Sequence, residues 1–151
     1  FLVLPWQHSV KRKAIATARF YYFDTGVKNR LAQISAIPEQ TDLFGQSFEH
    51  FIAMELRAYI SYTRKRLPLN FWRTASGHEV DFIIGNQIAI EVKATKKVSS
   101  KHLKGVKSLM EEKKLEKYYL ISQDPIALKQ DGICILPWED FIKRLWDGEI
   151  L

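Results

Sequence analysis

Two carboxylates and a lysine stand close together in the sequence, in a pattern that could support hydrolytic chemistry. Asp81 is followed ten residues later by Glu91, and Lys93 comes two residues after that. Carboxylate oxygens, with water completing the shell, are the ligands that Mg²⁺ and Mn²⁺ prefer. A metal held there would polarise a phosphodiester and acidify a bound water, while the lysine orients that water or offsets negative charge. The alternative interpretation is a solvated strand face of mixed charge.

The segment around these residues has the pattern of a β-hairpin. Every second residue of each arm is apolar, as expected for strands with one buried face. These residues are Val80, Phe82, Ile84, Ile88, Ile90 and Val92. They share one face only if Phe82 lies opposite Ile90, which leaves Gly85-Asn86-Gln87 as a three-residue loop. A two-residue Gly85-Asn86 turn would slip this register by one residue.

The predicted register places the charged residues on the face away from the core. Asp81 then lies opposite Glu91, and Glu79 lies opposite Lys93. Like charges directly across a strand pair repel each other. Because a cation between Asp81 and Glu91 would relieve this repulsion, the register favours a metal site.

A helix predicted over residues 43–62 offers a further carboxylate. Its apolar residues recur every three to four positions. They include Phe48, Phe51, Ile52, Leu56, Tyr59 and Ile60. Asp42 or Thr41 is expected to cap the N-terminus. Glu49 and Glu55 both border the apolar face, and the helix alone does not decide which of them reaches the site; the alternative for each is a rim residue in water.

Taken in order, these residues resemble the PD-(D/E)xK nuclease superfamily. The matching positions are Glu49 on a helix, then Asp81, then Glu91-Val92-Lys93. Val80 stands where the name of the motif has proline. The resemblance implies an α/β fold with a restriction-endonuclease-like mixed β-sheet flanked by helices. It also implies that Glu49, Asp81 and Glu91 bind Mg²⁺ or Mn²⁺ and that Lys93 is the catalytic lysine.

A narrower resemblance is to the C-terminal domain of prokaryotic AAA-type ATPases. It is carried by Phe71-Trp72-Arg73-Thr74, by Gly77-x-Glu79-Val80-Asp81-Phe82 and by Ile90-Glu91-Val92-Lys93. The similarity spans roughly residues 18–146. It implies a nuclease-like domain over residues 18–151, with residues 1–17 as a leading segment from an upstream linker or winged-helix region. It further implies an ATPase module in the same polypeptide.

Basic residues are concentrated near the candidate site. The chain carries a net charge of +6, and residues 93–117 hold nine lysines against three glutamates. The candidates for contacts with nucleic acid are Lys96, Lys97, Lys101, Lys104, Arg64, Lys65 and Arg66. A basic surface of this kind suits a phosphate backbone, although lysine faces also serve solubility.

The composition is that of a globular domain. The 151 residues are 46% hydrophobic and 26% charged, enough for one sizeable core. Cys134 is the single cysteine, so no internal disulfide can form, and the sequence fits a reducing cytoplasm. No signal peptide, no bilayer-spanning apolar run, no zinc-ligand spacing and no P-loop motif is found, so we expect no membrane partner.

Two classes of function follow from these observations. The first is a Mg²⁺-dependent endonuclease domain acting on nucleic acid, with DNA as the first candidate. The second is a nuclease-like fold that binds DNA or docks a partner and cuts nothing. A third class, a protein-interaction domain with a basic face, has less support.

Overall fold

The computed structural model describes residues 1–12 and 15–151. They form eight strands: β1 (Leu2–Pro5), β2 (Arg19–Phe20), β3 (Leu69–Arg73), β4 (Glu79–Ile84), β5 (Ile88–Lys93), β6 (Lys117–Ser122), β7 (Leu128–Gln130) and β8 (Ile133–Pro137). The α-helices are α1 (Thr25–Leu31), α2 (Asp42–Tyr62), α3 (Lys104–Met110) and α4 (Trp138–Trp146). A 3₁₀ helix, Ser100–Leu103, leads into α3.

The eight strands form one mixed sheet in the order β2-β1-β3-β4-β5-β6-β8-β7. The pairs β1–β3, β5–β6 and β6–β8 are parallel, and the other four pairs are antiparallel. Helix α2 contacts β5, α3 contacts β4 and β5, and α4 contacts β6 and β8. The predicted α/β fold, a mixed sheet flanked by helices, is therefore confirmed.

Both faces of the sheet are buried. The apolar cluster that includes α2 contains Ile52, Phe82 and Ile90, and the cluster that includes α3 contains Val106 and Ala89. Successive residues of β5 alternate between these clusters, as strand geometry requires. The face predicted to lie away from the core is therefore covered as well, and that expectation is wrong because α3 buries its apolar stripe against it.

Next to its loop, the hairpin of β4 and β5 has the predicted register. Phe82 pairs with Ile90 and Ile84 pairs with Ile88. Gly85 has φ of 59°, a value that the short loop requires and that glycine adopts without strain. The three-residue loop is therefore confirmed over the two-residue turn.

A β-bulge redirects the side chains at the start of β4. The pairing of β3 with β4 shifts by one residue between Asn70 and Trp72, so Asp81 and Phe82 together oppose one residue of β3. Val80 therefore packs in the cluster under α3, with Trp72. The prediction that Val80 shares a face with Phe82 is wrong, because the extra residue of the bulge reverses the alternation.

Helix α2 begins where the sequence predicts. The hydroxyl of Thr41 accepts a hydrogen bond from the Phe44 amide at 3.2 Å, so Thr41 is the N-cap of the two candidates. The buried residues on its inner face include Phe48, Ile52, Leu56 and Tyr59. This face fixes the direction in which Glu49 points.

The leading segment is attached both to the sheet and to the end of α3. Strand β1 pairs with β3. The Ser9 hydroxyl and the next two backbone amides donate hydrogen bonds of 2.8–2.9 Å to the buried carboxylate of Glu112. Arg12 forms an ion pair of 2.7 Å with Glu111. The domain boundary at residues 17 and 18 stays a prediction, and β1, which precedes it, belongs to the common sheet.

Gly105 allows α3 to lie against β4. A Cβ at Gly105 would overlap the backbone carbonyl oxygen of Glu79, whereas a Cβ at Gly45 of α2 would meet no atom within 4 Å. We therefore expect Gly105→Ala to lower the melting temperature. Gly45→Ala should leave the melting temperature unchanged or raise it, because alanine in a helix can add up to about 1 kcal/mol to the free energy of unfolding. Thermal unfolding of both variants checks this. Equal effects of the two substitutions would contradict the steric argument.

Glu112 is expected to make stability depend on pH. Burial opposes its ionisation, but the hydrogen bonds from residues 9–11 outweigh burial and hold the pKa of Glu112 below its ordinary value of 4.5. Because a lowered pKa stabilises the ionised fold, this contribution is complete above about pH 4.5 and is lost as the pH falls through the folded-state pKa. We expect Glu112→Gln to cost on the order of 1–3 kcal/mol at pH 7.

The measurement is the free energy of unfolding of the wild type and of Glu112→Gln, determined with denaturant at about one-unit pH intervals between pH 3 and pH 7. The difference between the two should shrink below about pH 4.5. Glu116→Gln is the control, because Glu116 is exposed in the same loop. A difference that is constant with pH would show that the hydrogen bonds do not depend on the charge of Glu112.

Candidate functional site

Three elements bring the predicted residues to one groove at the end of the sheet. Helix α2 supplies Glu49, β4 supplies Asp81, and β5 supplies Glu91 and Lys93. All four line a groove of about 980 Å³. The residues singled out by type and spacing therefore lie together, although they come from positions up to 44 residues apart.

Asp81 is held by the bulge of β4 and by the neighbouring strand. The paired register ends at Phe82 and Ile90. Beyond it, the Val92 amide donates a hydrogen bond of 2.9 Å to Asp81 Oδ2. Asp81 is only 4% exposed. Its carboxylate therefore has a fixed position at the base of the groove.

Glu91 is buried and only half satisfied. Its Oε1 lies 2.5 Å from Lys93 Nζ, while its Oε2 is buried without a hydrogen-bond partner in the described part of the chain. Burial and the adjacent charge of Asp81 raise the pKa of Glu91 to about 8, with Lys93 acting in the opposite direction. A buried carboxylate oxygen with no donor is costly, so this atom fits contact with a cation.

Lys93 remains charged in this environment. Burial opposes its charge, but Glu91 and Asp81 outweigh burial and raise the pKa of Lys93 above its ordinary value. About a third of the side chain, 37%, is exposed toward solvent. Lys93 is therefore an ammonium donor beside the groove rather than a proton acceptor.

Glu49, and not Glu55, is the carboxylate of α2 that faces the site. The Tyr21 hydroxyl donates a hydrogen bond to Glu49 Oε1. Burial and the charge of Asp81 raise the pKa of Glu49, against the effects of Tyr21 and Arg19. Glu55 instead accepts a hydrogen bond of 2.9 Å from Trp146 Nε1 of α4, which removes it from the groove.

Arg19 is a site residue that the sequence did not reveal. Its Nη1 lies 3.4 Å from Glu49 Oε1 and 3.5 Å from Asp81 Oδ1, and its Nη2 pairs with Glu79. Arg19 and Tyr21 are two residues apart in an extended segment, so both side chains point the same way. This shared direction is the only feature of the sequence that relates Arg19 to Tyr21, and it does not indicate which residues they contact.

The predicted basic residues divide into two groups. Lys96, Lys101 and Lys104 line the same groove as the carboxylates. In the described part of the chain, Lys97 is not among the lining residues, nor are residues 64–66. Residues 64–66 follow the far end of α2, roughly 20 Å from Glu49 at 1.5 Å per helical residue. Any contact with nucleic acid there would be separate from the groove.

The carboxylates of the groove fit a metal ion only in part. Among residues 1–12 and 15–151, no group of three or more Asp, Glu, His or Cys side chains is arranged to hold one. Glu49 Oε1 contacts Tyr21 and Arg19 in this arrangement. Asp81 and Glu91 do fit a hard cation, because both are buried oxygen ligands and Glu91 Oε2 lacks a partner within the described ranges.

The family described as Domain of unknown function (DUF4143) matches residues 44–141. The chain belongs to this family. The matched region runs from the start of α2 into α4 and covers about two thirds of the sequence. Within DUF4143 therefore lie Glu49, Asp81, Glu91 and Lys93, whereas Arg19 and Tyr21 lie before the matched region.

The other comparisons add no relative to this DUF4143 domain. No curated protein and no solved structure is significantly similar to the chain. In residues 1–12 and 15–151, none of the helices combines the length and the apolar character needed to cross a bilayer. The residues of the groove are therefore the basis for its chemistry.

Replacement of Glu91 by glutamine should stabilise the metal-free protein. The substitution keeps the shape and removes the cost of protonating a buried carboxyl whose pKa is raised to about 8, so at neutral pH we expect the unfolding free energy in EDTA to rise, on the order of 1–3 kcal/mol. Glu55→Gln is the matched control, because its contact with Trp146 needs only an acceptor. Thermal unfolding in EDTA measures both. A lower melting temperature for Glu91→Gln would show that the ion pair with Lys93 outweighs the burial of charge.

Proposed function

We propose that the groove is the active site of a metal-dependent nuclease-like domain that hydrolyses phosphodiester bonds of nucleic acid, with DNA as the first candidate. The observation that carries this proposal is the buried Oε2 of Glu91, which has no hydrogen-bond partner among residues 1–12 and 15–151, beside Asp81 and Lys93 in a groove lined by lysines. An ordinary strand face of mixed charge would be solvated, whereas Asp81 and Glu91 are each only 4% exposed.

Asp81 and Glu91 would hold the divalent ion, Mg²⁺ or Mn²⁺, with Glu49 as a further ligand. Such an ion, when bound, supplies Lewis acidity and a water that is more readily deprotonated. The chain itself supplies two fixed carboxylates. Asp81 is positioned by the bulge and the Val92 amide, and Glu91 is positioned by Lys93.

Lys93 has a role of its own. Its ammonium lies 2.5 Å from Glu91 and is partly exposed. From this position it can donate a hydrogen bond to a phosphate oxygen or to the attacking water. A positive charge placed there before the reaction stabilises negative charge that develops on the phosphate.

Lys96, Lys101 and Lys104 would bind the phosphate backbone. They line the groove that holds the carboxylates. A polyanion approaching buried acids is repelled unless positive charge lies nearby, and three lysines at the rim supply that charge. Because these contacts are electrostatic, they favour nucleic acid without selecting a sequence.

A second candidate is a nuclease-like fold that binds DNA or docks a partner without cutting. The observation that favours it is Arg19, whose guanidinium already contacts Glu49 and Asp81. An ATPase module of the same polypeptide, implied by the sequence resemblance, would be the docked or regulating partner. Metal-dependent cleavage separates the two candidates, whereas DNA binding alone does not.

The test is cleavage of plasmid and single-stranded DNA in Mg²⁺ and in Mn²⁺. We expect Lys93→Ala to reduce the rate by roughly 10²- to 10³-fold, as for loss of one charge-stabilising donor, and Asp81→Asn to abolish cleavage. EDTA should abolish cleavage by the wild type. Circular dichroism should show that both variants retain the fold.

Lys129→Ala is the matched control, because Lys129 is exposed on the edge strand β7, which is separated from β5 by β6 and β8. It removes one lysine outside the groove and should leave the rate unchanged. Full activity in a folded Lys93→Ala variant would reject the proposed role of the groove. DNA binding without cleavage under any of these conditions would support the second candidate.

A further inference from the structure

We propose that Arg19 is a built-in cation of the site, which competes with a divalent metal ion for the oxygens of Glu49 and Asp81. The inference rests on the metal site of the proposed function and names the residue that sets its affinity. Arg19 is a positioning residue here, since in the described part of the chain it is not among the residues that line the groove.

The contacts of one nitrogen atom support this inference. Arg19 Nη1 is 3.4 Å from Glu49 Oε1 and 3.5 Å from Asp81 Oδ1, so it joins a carboxylate of α2 to one of β4. A shared metal ion would have to bind the same two carboxylates. Because a guanidinium is always charged in proteins, Arg19 and the ion cannot both remain there without repulsion.

A second contact explains how the exchange could occur without stranding a buried charge. The other terminal nitrogen of Arg19 pairs with Glu79, a carboxylate whose side chain is 34% exposed. Arg19 would keep this partner after Nη1 released Glu49 and Asp81. The cost of leaving an unpaired arginine in a buried site is therefore avoided.

The remaining carboxylate gives the order of events. Glu91 Oε2 has no partner in the described ranges, so a cation can contact it while Arg19 still holds Glu49. If Glu49 and Asp81 were also to hold the ion, Arg19 would have to move away from both of them. The free energy of that displacement lowers the apparent affinity for the ion.

The experiment measures Mn²⁺ binding to the chain without nucleic acid, from the electron paramagnetic resonance signal of free Mn²⁺. Arg19→Gln is expected to bind Mn²⁺ roughly tenfold or more tightly than the wild type, because a competing charge has been removed. Arg73→Gln is the matched control. Arg73→Gln removes the same charge nearby. Because the ion pair of Arg73 is with Glu79, and not with the two carboxylates that Arg19 Nη1 contacts, its effect on Mn²⁺ affinity should be much smaller.

Equal or weaker Mn²⁺ binding by Arg19→Gln overturns the inference, and so does an equal gain in Arg73→Gln. If Arg19→Gln does not fold, Arg19→Lys takes its place, because an ammonium lacks the planar fork that reaches several carboxylates at once. Arg19→Lys should then bind Mn²⁺ more tightly than the wild type, and unchanged affinity overturns the inference.

Asp81→Asn distinguishes failure of the metal site from failure of the competition by Arg19. Wild-type binding of Mn²⁺ that is lost in Asp81→Asn, together with no gain in Arg19→Gln, would leave the metal site standing and reject the competition. Absence of Mn²⁺ binding in the wild type and in every variant would reject both.

Discussion

The repulsion among three carboxylates at one end of the sheet is the constraint on which the site depends. Electrostatic repulsion acts between Asp81 and each of Glu49 and Glu91. Burial strengthens this repulsion because little water screens it. The chain compensates with Arg19 on one side and Lys93 on the other. The compensation is incomplete at Glu91 Oε2, which has no donor among the described residues. Burial and mutual repulsion therefore raise the pKa of Glu49 and of Glu91.

Rigid packing makes this arrangement possible. An apolar cluster on each face of the sheet fixes β4 and β5, so the acids cannot move apart to relieve their repulsion. The bulge of β4 adds one residue opposite β3 and sets the direction of Asp81. Stability gained in the two apolar clusters therefore offsets the cost of holding like charges together.

The parts that sequence analysis predicted are those with a local pattern. The register of the hairpin follows from alternating apolar residues, and the extent of α2 follows from its apolar stripe and Thr41. The face of the sheet on which Val80 lies was not predicted. The apolar alternation of β4 continues through the bulge in the sequence and so does not reveal it. Arg19 was missed for a different reason: its partners are 30 to 62 residues away, and only the fold brings them together. Burial of the second face depends in the same way on where α3 packs.

Residues that precede α1 contact two parts of the molecule that lie far apart in sequence. Residues 9–12 are bonded to Glu111 and Glu112 just after α3, and Arg19 and Tyr21 are bonded to Glu49 on α2. One wall of the groove belongs to α2 and the other to the 3₁₀ helix and α3. Contacts from residues that precede α1 therefore hold both walls of the groove in place.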